Sequence, residues 1–555
     1  MDTILNAIQN GSWEEALELF LEYTKIHELN EDLCVIGATI LEQFGEMDDM
    51  FSLVQSGIRF NPYNHELYLL LGNYYTRFSP EKAFLTYKQA LLYAEKNGKE
   101  EDAAVIRQIM ENYEQESGAE LRKATILVLA DEDKKRLDEC LEGIDNTCVK
   151  DIIKVQVVDV SDFEHRVETL NKAVADSDKS DNVFLLSCDA VLTPNALYNL
   201  QIEMYDKEEL GAASCVSNYA FYKQVPEDNG VRTPRGAVRY AEIHNYPRFH
   251  ACEMKMAVDN SFVLLRREAI DKVFPLDPSF VAEGYTNLDF GLRMIDAGYK
   301  NAVCWNSFVF HYIRNEVSEK NSEYIEEGKK KIKEKWGFSP EYYMNTREDI
   351  VSMIERDRNE TLDVLEVGAG LGSTLSRIKY KFPNARVHGI EIVEAVAAMA
   401  KKNTDMKCTN IETYEFEEGE VFDYIIFGDV LEHLVDPFTL VDRLKNNLKP
   451  GGSIIASIPN IMNANVVYEL LHGNFTYQDA GILDRTHLRF FTKNEVIKLF
   501  QERGYKITQM IGSTHPSEAV AVHQEFFDKL LAIEGIAERG EFEIVQYIVN
   551  AEKIR

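Results

Sequence analysis

Leu362-Asp363-Val364-Leu365-Glu366-Val367-Gly368-Ala369-Gly370-Leu371-Gly372 decides how the last third of this 555-residue chain folds. Leu362–Val367 reads as a buried strand, alternating glycines follow at once, and a helix is expected from Ser373. Glycine is needed where the backbone must turn sharply and let a ligand come close. A second strand, Arg386-Val387-His388-Gly389-Ile390, ends in Glu391, about 20 residues past the glycines, where a carboxylate can accept both hydroxyls of a ribose. Nicotinamide oxidoreductases share this much. Their fingerprint is G-x-G-x-x-G, however, and here the third glycine comes one residue early, with Ser373 where the fingerprint wants glycine.

Further motifs follow in order. Phe422-Asp423-Tyr424-Ile425-Ile426-Phe427-Gly428-Asp429-Val430-Leu431-Glu432-His433-Leu434 is a strand running into a helix. Leu448-Lys449-Pro450-Gly451-Gly452 is a tight turn before the strand Ser453–Ile458, which stops at Pro459-Asn460. The series resembles the class I S-adenosylmethionine-dependent methyltransferases, in particular their small-molecule and glycan-associated branch, over Asp363–Lys553. The resemblance implies a Rossmann-like α/β domain over residues 348–555, with Phe542–Ala551 as the antiparallel edge strand that closes the sheet. It also implies that Glu366, Gly368, Gly370 and Gly372 cradle the methionine portion of S-adenosylmethionine, whose sulfonium charge suits an acidic neighbour. Glu391 would hold the ribose, Asn410 and Ile411 would flank the adenine with Glu412 beside them, and Asp429, Val430 and Leu431 would line the cleft.

Methyl transfer to a hydroxyl needs proximity and often a base. Two candidates stand out: His433, and His487 within Gly481-Ile482-Leu483-Asp484-Arg485-Thr486-His487-Leu488-Arg489-Phe490-Phe491-Thr492. His487 would take the proton while Asp484 orients it. The alternative reading gives His487 and Arg489 only the task of anchoring a lid.

Between Lys123 and Tyr312, short apolar runs alternate with helices, the pattern of an α/β domain with a mainly parallel sheet. Val157-Val158-Asp159 ends one strand, and Leu185-Leu186-Ser187-Cys188-Asp189 ends another before the helix opened by Pro194. Asn287-Leu288-Asp289-Phe290 and Phe308-Val309-Phe310-His311-Tyr312 follow. This order resembles inverting family-2 glycosyltransferases of the GT-A fold, over about Lys123–Tyr312, and with its C-terminal tail the domain is expected over residues 123–340. A nucleotide diphosphate leaving group needs a divalent cation. The resemblance implies that Asp189 and His311 hold Mn2+ or Mg2+, that Asp159 and Asp189 face the nucleotide sugar, and that Asp289 or Glu283 supplies the base. Two departures stand against this. Ser187 and Cys188 replace the acidic or amide residues usual before the last Asp of the metal motif, and Thr286-Asn287 replaces the usual Glu-Asp pair. A domain that holds a sugar nucleotide without turnover is therefore the alternative.

Residues 1–117 are helical throughout, with turns at Asn10-Gly11-Ser12, Gly45-Glu46-Met47 and Ser79-Pro80. Glu31–Asn64 and His65–Gly98 form a weak repeat of roughly 34 residues that resembles tetratricopeptide repeats, with Gly72, Ala83, Tyr87 and Ala90 near the small and aromatic positions. Such a stack either presents a surface to a protein partner or caps the next domain.

Composition bounds the rest. With 93 acidic against 60 basic side chains the formal net charge is −33, which repels phosphate backbones and anionic lipid, so neither nucleic acid nor membrane is an expected partner. Eight cysteines without a C-x-x-C pair read as reduced thiols. Met1–Leu5 lacks the basic start of a signal peptide, so a cytoplasmic location is expected. The expected whole is multidomain: an α-helical repeat, a GT-A α/β domain and a class I methyltransferase domain, together building and methylating a surface or protein-linked glycan. A methyltransferase with a silent sugar-binding domain, a repeat scaffold with vestigial enzyme domains, and a nicotinamide oxidoreductase are the rivals.

Overall fold

The computed structural model describes residues 1–313, 319–514, 524–533, 535 and 537–554. Of the charged helix expected over Asn315–Lys335, residues 315–318 lie outside that set, and the described part is the helix Glu319–Trp336. The chain divides into two compact units, Met1–Ile332 and Lys333–Arg555.

Helices fill the first 117 residues, and their ends are written in the sequence. Asn30 accepts a hydrogen bond from the Leu33 amide at the start of helix Glu31–Phe44, and Ser79 does so from Lys82 ahead of Pro80–Lys96, with proline at its first position. Gly72 has no room for a side chain, since a Cβ there would lie 2.3 Å from the Tyr87 ring. That close approach joins helix His65–Tyr75 to Pro80–Lys96.

The same helices are clamped to the α/β part of the first unit. Asn195, buried and in the left-handed region at φ +62°, donates to the Tyr68 hydroxyl (2.7 Å) and accepts from the hydroxyl of Tyr93 (2.7 Å) and the amide of Gln89 (3.2 Å). Thr86 meets Tyr198 at 2.8 Å, and Lys82 pairs with Asp206 at 2.8 Å. The helical stack therefore caps its neighbour along this face.

That neighbour is built on eight strands: β1 (Ala124–Ala130), β2 (Ile153–Asp159), β3 (Asn182–Ser187), β4 (Ala190–Leu192), β5 (Leu210–Ser217), β6 (Cys252–Lys255), β7 (Phe262–Leu265) and β8 (Lys300–His311). Their order is β2-β1-β3-β7-β5-β8-β4, with β6 also on β8. The expected mainly parallel sheet is corrected to a mixed one. β7 runs antiparallel to both β3 and β5, and β4 and β6 run antiparallel to β8. Short apolar strands such as Phe262–Leu265 carry no signal of direction, which depends on the path of the preceding connection.

The second unit holds β9 (Asp363–Val367), β10 (Arg386–Glu391), β11 (Asp405–Cys408), β12 (Phe422–Gly428), β13 (Leu448–Pro459), β14 (Tyr505–Thr514) and β15 (Ile544–Lys553), in the order β11-β10-β9-β12-β13-β15-β14. The first five are parallel neighbours, and β15 runs antiparallel to both β13 and β14. β15 is thus antiparallel as expected, but it is no edge strand, because β14 takes the edge. Its central Tyr547–Ala551 is buried, which fits a strand paired on both sides. Among the described residues no helix is long and apolar enough to cross a membrane.

Candidate functional site

The carboxyl ends of the parallel strands β9, β10 and β12 converge on the glycine turn, the place where open α/β sheets take ligands. Gly368, Gly370 and Gly372 all have positive φ (+70°, +55° and +78°). A Cβ on Gly368 would fall 2.5 Å from Val430, and one on Gly370 would fall 2.7 Å from the Tyr343 carbonyl. Glu391, at the end of β10, locks the turn: its carboxylate accepts from the Gly370 amide (3.0 Å) and from the Val393 amide (2.9 Å). Glu366, the last carboxylate before the turn, is 4 % exposed and keeps one oxygen buried without a hydrogen-bond partner. Burial pushes its pKa up to about 8. A cradle with no room for side chains and a buried, unsatisfied carboxylate together fit a cationic ligand such as S-adenosylmethionine.

The remaining predicted contacts take different places. Ile411 is buried and packs in the domain core, while Asn410 is exposed and accepts from the Glu412 amide at 2.9 Å. Asp429 has a left-handed backbone, φ +56°. Its carboxylate is held by Arg347 (2.5 Å) and the Ser457 hydroxyl (2.7 Å). Arg347 went unnoticed in the sequence. It is 8 % exposed, forks onto Asp349 (3.0 and 2.7 Å) and reaches Ser457 at 2.9 Å. No motif announces it, since it precedes β9 and reaches the cleft only through the fold.

Beyond Asp429 lies a second cluster. Glu432 is 1 % exposed, both its carboxylate oxygens lack hydrogen-bond partners, and burial raises its pKa well above the usual carboxylate range. His487 Nε2 is 4.0 Å from Glu432 Oε1, and the rings of His433 and His487 sit edge to face, 4.7 Å between centroids. The expectation that Asp484 orients His487 is corrected. Asp484 accepts from the Thr486 amide (2.7 Å) and hydroxyl (2.6 Å), while the His487 Nδ1 partner is the Ile482 carbonyl at 2.9 Å. A two-residue turn closes on Asp484 before it can reach the imidazole. Arg489 binds the Val435 carbonyl and so anchors its loop.

In the first unit, a cavity of about 880 Å³ is lined by Ser187, Asp189, Glu283, Asn287, His311 and Tyr312, among others. Asp189 and His311 thus share a cavity, but Asp189 already holds a cation: Arg136 donates to it at 2.7 Å and lies 5.1 Å from the Tyr312 ring centroid. The ring nitrogen Nδ1 of His311 is engaged by the Tyr219 carbonyl at 2.9 Å. Asp131 and Cys188, not His311, group with Asp189 as the side chains close enough to share an ion. Asp159 is exposed at the end of β2, outside the cavity lining, and hydrogen bonds from Ser161 lower its pKa. Asp289 is buried and also outside the lining, whereas Glu283 is in it and accepts from the Ser261 hydroxyl at 3.1 Å.

A family model described as a methyltransferase domain matches residues 305–510. The chain carries a class I S-adenosylmethionine-dependent methyltransferase domain. Among curated proteins this methyltransferase domain is similar to the malonyl-[acyl-carrier protein] O-methyltransferase of Bacillus anthracis, 26 % identical over 158 residues, covering 26 % of this chain and 56 % of that protein. It is also similar to the ubiquinone biosynthesis O-methyltransferase of Idiomarina loihiensis, 30 % identical over 146 residues, covering 24 % of this chain and 58 % of that protein. The chain therefore spans a little over half the length of these two relatives. A solved S-adenosylmethionine-dependent methyltransferase from Archaeoglobus fulgidus aligns at 18 % identity with a TM-score of 0.28, over 40 % of this chain and 98 % of that one.

Proposed function

We propose that the methyltransferase domain moves a methyl group from S-adenosylmethionine to an oxygen of a sugar or glycan. The observation that carries the donor side is the Glu391 carboxylate bonded to the Gly370 amide beside the unsatisfied Glu366. Bound there, S-adenosylmethionine supplies a sulfonium methyl that passes in line to a nucleophilic oxygen, the S–C bonding pair staying on sulfur. Glu366 offers the buried negative charge that its cationic portion needs, and Glu391 is set to receive ribose hydroxyls. Arg347 and Ser457 fix Asp429 at the cleft wall. His433 and His487, edge to face with each other, are the candidate groups for the acceptor side, and the aromatic rings of Phe475, Tyr477 and Phe490, in edge-to-face and tilted contact with one another, offer apolar surface on the same loop.

For the first unit, the reading favoured by the cavity is a sugar-nucleotide-binding domain without turnover. Arg136 supplies at Asp189 the positive charge that a metal ion would bring to a diphosphate, and Asn287, which cannot take a proton at neutral pH, lines the cavity. The active glycosyltransferase is the second reading, kept by Glu283 in the same cavity. Three experiments test these readings. Calorimetry with S-adenosylmethionine is expected to show one site, and incubation of a purified glycan with cofactor and enzyme is expected to add the mass of one methylene. Release of free nucleotide diphosphate from sugar donors in Mn2+ would replace the binding reading of the first unit with catalysis.

A further inference from the structure

The Glu432 cluster is chemically incomplete as it stands. A carboxylate that is 1 % exposed with both oxygens unpartnered is rare in a folded protein, because desolvating it without compensation costs several kcal/mol. The Ile482 carbonyl can only accept, so His487 Nδ1 carries the hydrogen of that 2.9 Å bond; in the neutral ring, the form a metal ligand takes, Nε2 keeps its lone pair, 4.0 Å from Glu432 Oε1. His433 repeats the arrangement. Its Nδ1 meets the Thr486 carbonyl at 3.2 Å and the Thr486 hydroxyl at 3.1 Å, and that hydroxyl already donates to Asp484, so Nδ1 is again the donor. Carbonyl partners on the far nitrogen are the usual way a protein fixes a histidine ligand.

One ligand atom from each of Glu432, His433 and His487 lies within 4.8 Å of the other two. The 4.0 Å between His487 and Glu432 is a gap that one ion can span with bonds of roughly 2.1 Å. The backbone holds the set together: the Leu488 and Arg489 amides both donate to the Glu432 carbonyl (2.8 and 3.0 Å), which brings the His487 loop onto Glu432 and His433. Asp429, three residues before Glu432, is committed to Arg347 and Ser457 and stays outside the set.

We propose that Glu432, His433 and His487 bind a first-row divalent cation accepting nitrogen and oxygen ligands, and that this ion receives the acceptor oxygen. Two imidazoles favour ions such as Mn2+, Co2+ or Zn2+ over Mg2+ and Ca2+, which prefer all-oxygen shells. Three protein ligands leave positions open for an acceptor hydroxyl or a vicinal pair of hydroxyls. The ion lowers the pKa of a bound hydroxyl, so its proton leaves to water and the oxygen forms the new bond to the methyl carbon. His487 is then a ligand and not the base. This deepens the methyl-transfer reading and rests on it for the acceptor, though not for the ion.

Cobalt(II) alone, titrated into the metal-stripped full chain and followed by its visible absorption, tests the site. One equivalent is expected to bind, with the affinity falling more than about tenfold in Glu432→Gln and in His487→Gln, and unchanged in Asp189→Asn. Near-ultraviolet circular dichroism and S-adenosylmethionine calorimetry on the same variants show whether they fold. Absence of cobalt binding, binding indifferent to both substitutions, or binding lost only in Asp189→Asn overturns the proposal. S-adenosylmethionine bound without cobalt would sink the ion and spare the donor site, and cobalt bound without S-adenosylmethionine would do the reverse.

Discussion

The two units each gather carboxylates beside the ends of sheet strands, and they treat them in opposite ways. In the first unit Asp189 is buried but answered, with Arg136 at 2.7 Å across the cavity wall. In the second, Glu366 and Glu432 are buried and left with unpartnered oxygens. Burying a charge without a partner is costly, and a protein keeps such a group where a ligand will complete it. The contrast separates a cavity carboxylate whose charge is already closed by an arginine, although the neutral Asn260 and Asn287 beside it keep unpartnered atoms, from two carboxylates whose charge is left open, and it does so without reference to any relative.

The sharpest way to break the comparison is Gly370→Arg. With φ +55° and the Tyr343 carbonyl 2.7 Å from a Cβ, S-adenosylmethionine affinity is expected to fall at least about a thousandfold, roughly 4 kcal/mol, by calorimetry. Retained binding would mean that the turn is not the cofactor site. Next in size is Asn195→Ala. It strips partners from the buried hydroxyls of Tyr68 and Tyr93 and from Gln89, and should cost the first unit about 3 kcal/mol in denaturant melts while cofactor binding is unaffected.

Arg136→Ala tests the closed cavity directly. Because the Arg136 side chain is 27 % exposed, the loss is expected near 2 kcal/mol, below that of a fully buried pair, and Asp189 with Asp131 should then gain measurable Mn2+ binding. No gain would show that the arginine is not standing in for an ion. The smallest effect is a pH dependence. With its pKa near 8, Glu366 is mostly protonated at pH 7, while a cationic ligand favours its carboxylate. Binding therefore releases a proton, and affinity should rise up to about tenfold from pH 7 to pH 9 and level off above the pKa. In Glu366→Gln this rise should vanish, leaving only what the cofactor's own amine contributes.

Much of the glycine turn was legible because it is local. Three glycines at a strand end and an acid at the end of the next strand are fixed by short stretches of chain, so the residues and the family resemblance together singled out Gly368, Gly370, Glu366 and Glu391, which the structure brings to one turn. Arg347 could not, since its value comes from Asp429 and Ser457, 82 and 110 residues away. His487 was singled out for the right neighbourhood with the wrong companion. Sequence proximity suggested Asp484, whereas the turn closing on Thr486 spends that carboxylate, and the group actually facing the imidazole is Glu432. In the first unit Asp189 and His311 were matched to a metal motif, but the charge that reaches Asp189 comes from a helix 53 residues earlier. Strand direction escaped for a related reason: alternation and apolarity say that a segment is buried, not which way its neighbours run.

The position of β15 has a consequence for how the second unit is made. On a ribosome, β9 to β14 all emerge before it, yet in the finished sheet β13 and β14 do not touch and each is paired to β15. Until Ile544–Lys553 is released, β13 offers a bare apolar edge to any other strand in reach, and β14 has nothing to pair with. The sheet is closed by its latest-made strand through contacts with residues nearly a hundred positions upstream, the kind of long-range pairing that forms late and slowly.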